Sequence, residues 1–554
     1  MNLRTPIPWL AAQPFVLGGL MLLWAWGAVV HPGMQLGRGA GALLLVGCLL
    51  ALALPGRLTW HWRGPQLWLA LALVWQAIAL AGWAVVREPG LLWWGERAAA
   101  LLTAIGVALW TRGQPPEWLL AATASVGAGC LVLCAGSAQA WALEWPTGPE
   151  IPFGNPNFVV GSALPLLGLG LVAGRTRWRW SLAAGVAAAV ILGTGFASGD
   201  AVRAVWPILG AMLGSWLLLK LPSRSHLWVV GVSEMAVLGA LALLILGVIT
   251  VPHAAPSTGY RVELWRSALQ AIGQAPWFGT GPASGIVVLQ EQLAFPAAWL
   301  WVPSYAEHAH QEYLNVVMEG GVVLGCLLLA GLLATLIPLW QRRAEPVSQA
   351  LLIAWAGVLT AAMIESHLGQ PGPLLLLALL AGITWSQTQP ITSTENRPQQ
   401  GAALLIAVLC FAQLAREFTD GGSPTMIEFR AGSRLAAAAD QHAAADITAE
   451  IRRRLGDLAT LPTIEGIARA KAKQFPQAED LAILQLQRLP VDPDAVDLAL
   501  RLRDRHRQRA EACPQLDAAL EQARARGSQL LLDVPTTPKS VDLRARLAVL
   551  YPRI

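Results

Sequence analysis

Long apolar blocks follow one another through the first three-quarters of the chain, most of them near the 20 residues or so that a bilayer-crossing helix needs. They fall at 9–30, 38–55, 66–86, 90–110, 117–136, 156–174, 180–197, 203–220, 227–250, 312–338, 348–366 and 370–386, with a shorter thirteenth at 400–415. From about residue 420 the texture changes to Ala, Leu, Arg and Asp at helical spacing, broken by Leu489-Pro490 and Asp492-Pro493. The expected fold class is therefore all-α. A polytopic transmembrane bundle of 12–13 spans occupies 1–416, with an external loop at 251–311, and a soluble α-helical, repeat-like domain occupies 417–554 without a clean 34-residue period.

Composition sharpens this division. Of 554 residues 55% are hydrophobic and only 13% charged, where a soluble domain carries about 25%. The stretch 415–554 alone holds 40 of the 73 charged side chains. The net charge of +5 is spread over short loops with no basic stripe interleaved with aromatics, so nucleic acid is not an expected partner. Five of the six cysteines lie in apolar runs and Cys513 stands alone in the tail, which is neither a disulfide framework nor a metal-ligand spacing. Arg501, Arg503, Arg505, Arg507 and Arg509 read most simply as a solvated helix surface. Arg4 precedes an apolar run without a small-x-small cleavage site, the pattern of a retained first span.

Charge also orients the bundle, because short cytoplasmic loops are enriched in Lys and Arg. With the N-terminus inside, twelve basic residues (Arg4, Arg57, Arg63, Arg112, Arg175, Arg177, Arg179, Lys220, Arg224, Arg342, Arg343 and Arg397) face the cytoplasm. Only Arg38, Arg87 and Arg203 remain in the outer short loops, and the connections at 137–155 and 251–311 fall outside. The side of the tail depends on the thirteenth span.

The unusual residues gather on that outer face. Pro152-Phe153-Gly154-Asn155-Pro156-Asn157-Phe158 precedes the sixth span, where Pro156 suits a first helical turn and Asn155 can cap it. The same helix start could instead present its amides to an anion. Arg203 breaks the charge asymmetry; it could anchor a headgroup or pair with Asp200. Residues 258–273 form an amphipathic helix with Val262, Trp265, Leu269 and Ile272 on one face, while Arg261 and Arg266 project about 140° apart. Pro276-Trp277-Phe278-Gly279-Thr280-Gly281-Pro282 follows as a turn. Glu307-His308-Ala309-His310-Gln311-Glu312-Tyr313-Leu314 then runs into the tenth span and ends at Glu319-Gly320-Gly321. A neutral imidazole at a membrane boundary suits proton transfer or hydrogen bonding. Two histidines at i,i+2 with no third nearby make a poor metal set, so none is expected. Glu96, Arg97 and Glu234 are intramembrane ionisable residues, the first two able to snorkel outward, and Glu365 and His367 could line the same outer cavity.

Taken in order, these segments resemble the O-antigen ligase family, which includes O-antigen polymerases and protein O-oligosaccharyltransferases. Phe153-Gly154-Asn155-Pro156-Asn157-Phe158 is similar to its F-G-N-P-N segment, and Val202-Arg203-Ala204-Val205-Trp206 to its S-R-x-x-W, with Val for Ser. Arg261-Val262-Glu263-Leu264-Trp265 with Pro276 and Gly279-Thr280-Gly281 is similar to its arginine helix and P-x-x-G-x-G. His308-Ala309-His310-Gln311-Glu312-Tyr313-Leu314 with Glu319 and Gly321 is similar to its H-x-H-N-x-Y-L and E-x-G, with Gln for Asn.

The resemblance covers about 150–325 and leaves the tail outside. It implies a GT-C-like, metal-independent inner-membrane glycosyltransferase of bacteria with no cofactor and a site facing the periplasm. The implied donor is a glycan on undecaprenyl diphosphate, and the acceptor is a hydroxyl of lipid A–core, of another glycan or of a protein. His310, Arg261 and Arg203 are the catalytic candidates. Arg266, His308, Asn155, Asn157, Tyr313 and Trp265 are the substrate-binding ones. Ligase is the first reading, with polymerase or protein O-oligosaccharyltransferase of the same superfamily as the alternative. A lipid-linked glycan transporter is the rival from another class. It is disfavoured because the charges gather at one face rather than at the midplane, and the hydropathy shows no paired halves.

Overall fold

The structure, a computed structural model, describes residues 57–58, 64–85, 88–111, 116–142, 156–171, 176–195, 202, 204–220, 256–285, 288–289, 308–366, 371–389, 391–392, 441–455, 461–488, 490, 492–532 and 545–553. After a two-residue strand β1 (Arg57–Leu58) come α1 (Pro65–Gly82), α2 (Glu88–Thr111), α3 (Pro116–Ala142), α4 (Pro156–Ala163), a 3-10 segment (Pro165–Leu171), α5 (Thr176–Thr194), α6 (Val205–Lys220) and α7 (Pro256–Gln274). Then follow α8 (Glu312–Gln341), α9 (Pro346–Ala362), α10 (Pro371–Thr388), β2 (Ile391–Thr392), α11 (Gln441–Leu455), α12 (Leu461–Lys471), α13 (Phe475–Arg488), α14 (Pro493–Gln508) and α15 (Pro514–Leu532). The chain is all-α as expected. Among the described residues the one strand pairing is the antiparallel β1–β2 ladder, Arg57 opposite Thr392 and Leu58 opposite Ile391.

Among the described residues three helices are long and apolar enough to cross a membrane: Pro65–Gly82, Leu119–Gly136 within α3, and Glu312–Gln341. Shorter apolar helices cover Pro156–Gly170, Leu182–Thr194, Val205–Lys220, Pro346–Ala362 and Gly372–Thr388. The expected spans at 9–30, 38–55, 227–250 and 400–415 lie outside the described residues. The block expected as one span at 156–174 is instead α4 followed by the 3-10 segment. Pro165 supplies the reason, since it offers no N–H to continue the α-helical ladder.

The chain divides into two compact units. One comprises 1–78, 92–242 and 310–417; the other comprises 79–91, 243–309 and 418–554. In the first, α4 and the 3-10 segment form the buried centre, with α3, α6 and α9 packed on them and α5 against α3. Their core side chains, Phe158, Val159, Leu164, Leu166 and Leu169, are almost wholly inaccessible. Gly127 of α3 lets that centre approach closely, because a Cβ there would lie 2.6 Å from the Ala163 carbonyl oxygen. Trp355 and Trp385 donate their indole N–H groups to Thr384 and Thr335 at 3.1 and 3.2 Å, tying α8, α9 and α10 together within the apolar core.

In the second unit, α11 to α15 stack as successive helix pairs around a core that includes Leu486, Val496, Leu500, Leu516 and Leu520. The Leu489–Pro493 stretch ends α13 and starts α14. Asp492 caps α14 through Asp494 and Ala495 N–H at 3.0 and 3.2 Å, and accepts from Thr463 and Gln485 with its other oxygen. Burial pushes its carboxyl up from the usual range. The arginine run is less uniform than a solvated face. Arg501 is exposed beside Asp497, but Arg503 is buried and donates to the Arg553 carbonyl, and Arg505 stacks over Phe475 at 3.4 Å. The reason is that α14 packs against α13 and α15, so alternate arginines meet different neighbours.

Candidate active site

In the first unit, the chemistry collects where α8 begins. His310 sits in the turn just before it with φ of 50°, a left-handed backbone that non-glycine residues adopt at a cost. Its Nδ1 lies 2.5 Å from Glu365 Oε1, beyond the end of α9 and only 1% exposed. A carboxylate accepts the Nδ1 proton, which fixes the tautomer and puts the basic lone pair on Nε2. Gln311, in place of the family's Asn, caps α8 by accepting the Leu314 N–H at 2.6 Å. Asn315 donates to Ser366, and Tyr313, half-exposed, donates to the Leu359 carbonyl at 3.1 Å. Two consecutive residues after α9, Glu365 and Ser366, thus hold two side chains of the α8 start.

A second polar pair lies about two turns further along. Glu319, 2% exposed, accepts from Arg97 of α2 at 2.9 Å, and the guanidinium also lies 5.5 Å over the Trp93 ring. Arg97 is 10% exposed, so it pairs inward rather than snorkelling. Here α8 is broken: Gly321 has φ 67° and ψ −172°, a conformation essentially restricted to glycine. Trp75 of α1 donates its indole N–H to the Gly320 carbonyl at 2.9 Å, satisfying a backbone acceptor that the break exposes. Beside the break an apolar cavity of about 120 Å³ is lined by Leu69, Ala72, Gln76, Val316, Leu324 and Trp385 among others, with Arg97 at its edge. Hydrocarbon suits such walls better than a sugar does.

In the second unit, α7 carries Arg261, half-buried, and Arg266, exposed. On the apolar face expected at Val262, Trp265, Leu269 and Ile272, Trp265 is buried and Val262 and Ile272 are half-buried. Leu264, Trp265, Ser267, Ala268 and Ala271 are the buried residues, and Leu269 is 41% exposed. Ala268 and Ala271 beside Leu264 permit close approach on the buried side of the helix, and Leu269 is left outward. The Trp265 indole N–H is buried and meets no acceptor among the described residues. His308 is buried as well.

Asn157 is half-buried in the first turn of α4, where Pro156 opens the helix as expected. Arg203, Asn155, Glu307, His367 and Glu234 lie outside the described residues. The residues that carry Arg203 on either side are ordered by the Val202 N–H bond to the Leu192 carbonyl at 2.9 Å and the Val205 N–H bond to Val202 at 3.2 Å. Sequence reasoning undervalued Arg97 and Glu365. Their signal was the default significance of an ionisable residue at membrane depth, and what it lacked was the partner.

The class is thus an α-helical membrane protein with a carboxylate-oriented histidine at the mouth of a broken span. Residues 158–330 match the family model described as O-antigen ligase, so this part of the chain is similar to that family. The matched segment includes His310 and Glu319 but neither Arg97 nor Glu365. No curated protein matches the chain.

Proposed function

We propose that the protein transfers a glycan from undecaprenyl diphosphate to an acceptor hydroxyl at the periplasmic face of a bacterial inner membrane, with lipid A–core as the first acceptor to test. The observation that carries this reading is the His310–Glu365 pair inside a family of glycan-transferring membrane proteins. The acceptor oxygen attacks the anomeric carbon and the bond from that carbon to the diphosphate oxygen breaks. The hydroxyl proton moves to His310 Nε2, and Glu365 stabilises the imidazolium that forms. Undecaprenyl diphosphate leaves with the bonding electron pair, its growing charge met by the forked guanidinium groups of Arg261 and Arg203, with Arg266 in support. Trp265 and His308 contribute substrate contacts, as do Asn155, Asn157 and Tyr313. A single displacement inverts the anomeric centre.

The test is transfer by purified protein in nanodiscs, given undecaprenyl-diphosphate glycan with lipid A–core, with a second lipid-linked glycan, or with protein. Each acceptor is run with and without EDTA, because imidazole and carboxylate are metal donors too. Wild type forms a new linkage in both arms, and His310→Gln loses about 10²–10⁴-fold. Folded His310→Gln and Glu365→Gln variants with full activity would remove the histidine from the reaction. Donor binding without any product would move the reading to transport.

A further inference from the structure

The turn after α7 carries a feature that the transfer chemistry does not use. Large apolar side chains there face outward: Trp277 is 63% exposed, Phe278 54% and Trp83 37%, with Val85 and Leu91 each more than half exposed. Trp83 and Phe278 meet edge to face at 5.6 Å and 71°. Together with Gln274, Ala275, Pro276, Trp277 and Gly279 they line a shallow hollow in which no side chain is charged. Such a concentration marks an interaction surface rather than ordinary solvent contact.

Its location indicates the partner. The α1 helix is apolar and long enough to cross a bilayer, and it ends at Gly82, one residue before Trp83. The turn is fastened to that end. Val85 N–H donates to the Thr280 carbonyl at 3.0 Å, and Gly281, with φ of 99°, lies so close to Ala84 that a Cβ on it would be 2.5 Å from the alanine methyl. Gly279 N–H bonds back to Ala275 at 2.9 Å and Thr280 Oγ1 to Ser284 Oγ at 2.5 Å, so the turn is a stiff extension of α7. Tryptophan and its aromatic neighbours are enriched where a span leaves the bilayer, because the ring suits the acyl boundary while its polar edge suits the headgroups. The exposed Leu269 extends the same apolar stripe along α7.

We propose that the Pro276–Pro282 turn, stapled to Trp83-Ala84-Val85, is a membrane-interface anchor seated in the headgroup–acyl boundary of a phospholipid bilayer, and that it sets the depth of α7. The anchor rests on α1 being a span and not on the transfer reaction. Arg261 lies about 20 Å along the helix from the turn, so the depth of the anchor bears on where that guanidinium sits.

The experiment uses the full chain in nanodiscs of phosphatidylethanolamine and phosphatidylglycerol. A nitroxide is attached at Trp277→Cys, or at Phe278→Cys should the first variant fold poorly, and the signal of identically treated wild type is subtracted. Collision with oxygen, which concentrates in lipid, is compared with collision with a water-soluble nickel chelate. The same label at Gln270→Cys, an exposed polar position on α7, is the reference. The expected result is an oxygen-to-nickel ratio at 277 several-fold above that at 270. Equal ratios at the two positions would overturn the anchor. So would nickel access at 277 that a soluble oligosaccharide blocks, which would make the hollow a sugar platform. Depth is read without turnover, so a failed transfer assay would leave this conclusion standing.

Discussion

Replacing one member of the Arg97–Glu319 pair should harm the protein far more than replacing both. The ions are 2.9 Å apart with 10% and 2% of their side chains exposed, which corresponds to a gross attraction of about 6 kcal/mol at an effective dielectric of 20. That attraction is spent largely on desolvating the two charges. Glu319→Leu takes the carboxylate away from a buried guanidinium that keeps the Trp93 ring at 5.5 Å, a contact worth about 0.5–2 kcal/mol. Breaking a buried pair on one side costs roughly 3–5 kcal/mol, whereas an apolar replacement of both partners is often neutral or better. Arg97→Met and Glu319→Leu should each lower stability by about that amount, and the double variant should recover most of it, giving a coupling of several kcal/mol. The assay is thermal denaturation in one detergent at one protein concentration. Each kcal/mol moves the midpoint by about 2–4 °C in a domain of 150–250 residues, so the single variants should fall by roughly 6 °C or more. Additive losses in the double variant would refute the reasoning, as would single losses below about 1 kcal/mol, because either would mean that the pair is solvated.

Other outcomes follow from the same geometry. Gly321→Ala forces a Cβ onto a backbone at φ 67° and ψ −172°, which should cost about 1–3 kcal/mol in the same denaturation assay; an unchanged midpoint would mean that α8 is not broken there. His506 bridges Glu479 and Glu511 at 2.9 Å each, and the hydrogen bond it donates to Glu479 in particular raises its pKa above the ordinary 6.5. A raised folded pKa means that this contribution is complete below pH 6.5 and is lost as pH climbs through the folded value. Hydrogen exchange across 475–517, corrected for its intrinsic pH dependence, should therefore quicken with rising pH in wild type and respond less in His506→Gln. Equal pH responses would remove the imidazole from the helix stack.

The local features of this chain were legible without coordinates. Bilayer-length apolar blocks, the Pro156 helix start, the break between α13 and α14, and the ordered motifs around Arg261 and His310 each depend on residues within a turn or two of one another. Hydropathy and backbone chemistry act at that range. Burial within α7 was not legible. Val262, Trp265, Leu269 and Ile272 share one face in the sequence, yet Trp265 is buried together with Leu264, Ala268 and Ala271 while Leu269 is exposed. Nor could the sequence pair Arg97 with Glu319, 222 positions away, or His310 with Glu365, 55 away. An ionisable residue in an apolar block announces that it needs a partner, since leaving it alone is costly. Which partner it meets depends on how the helices turn and stack, and that is decided only when the whole bundle packs.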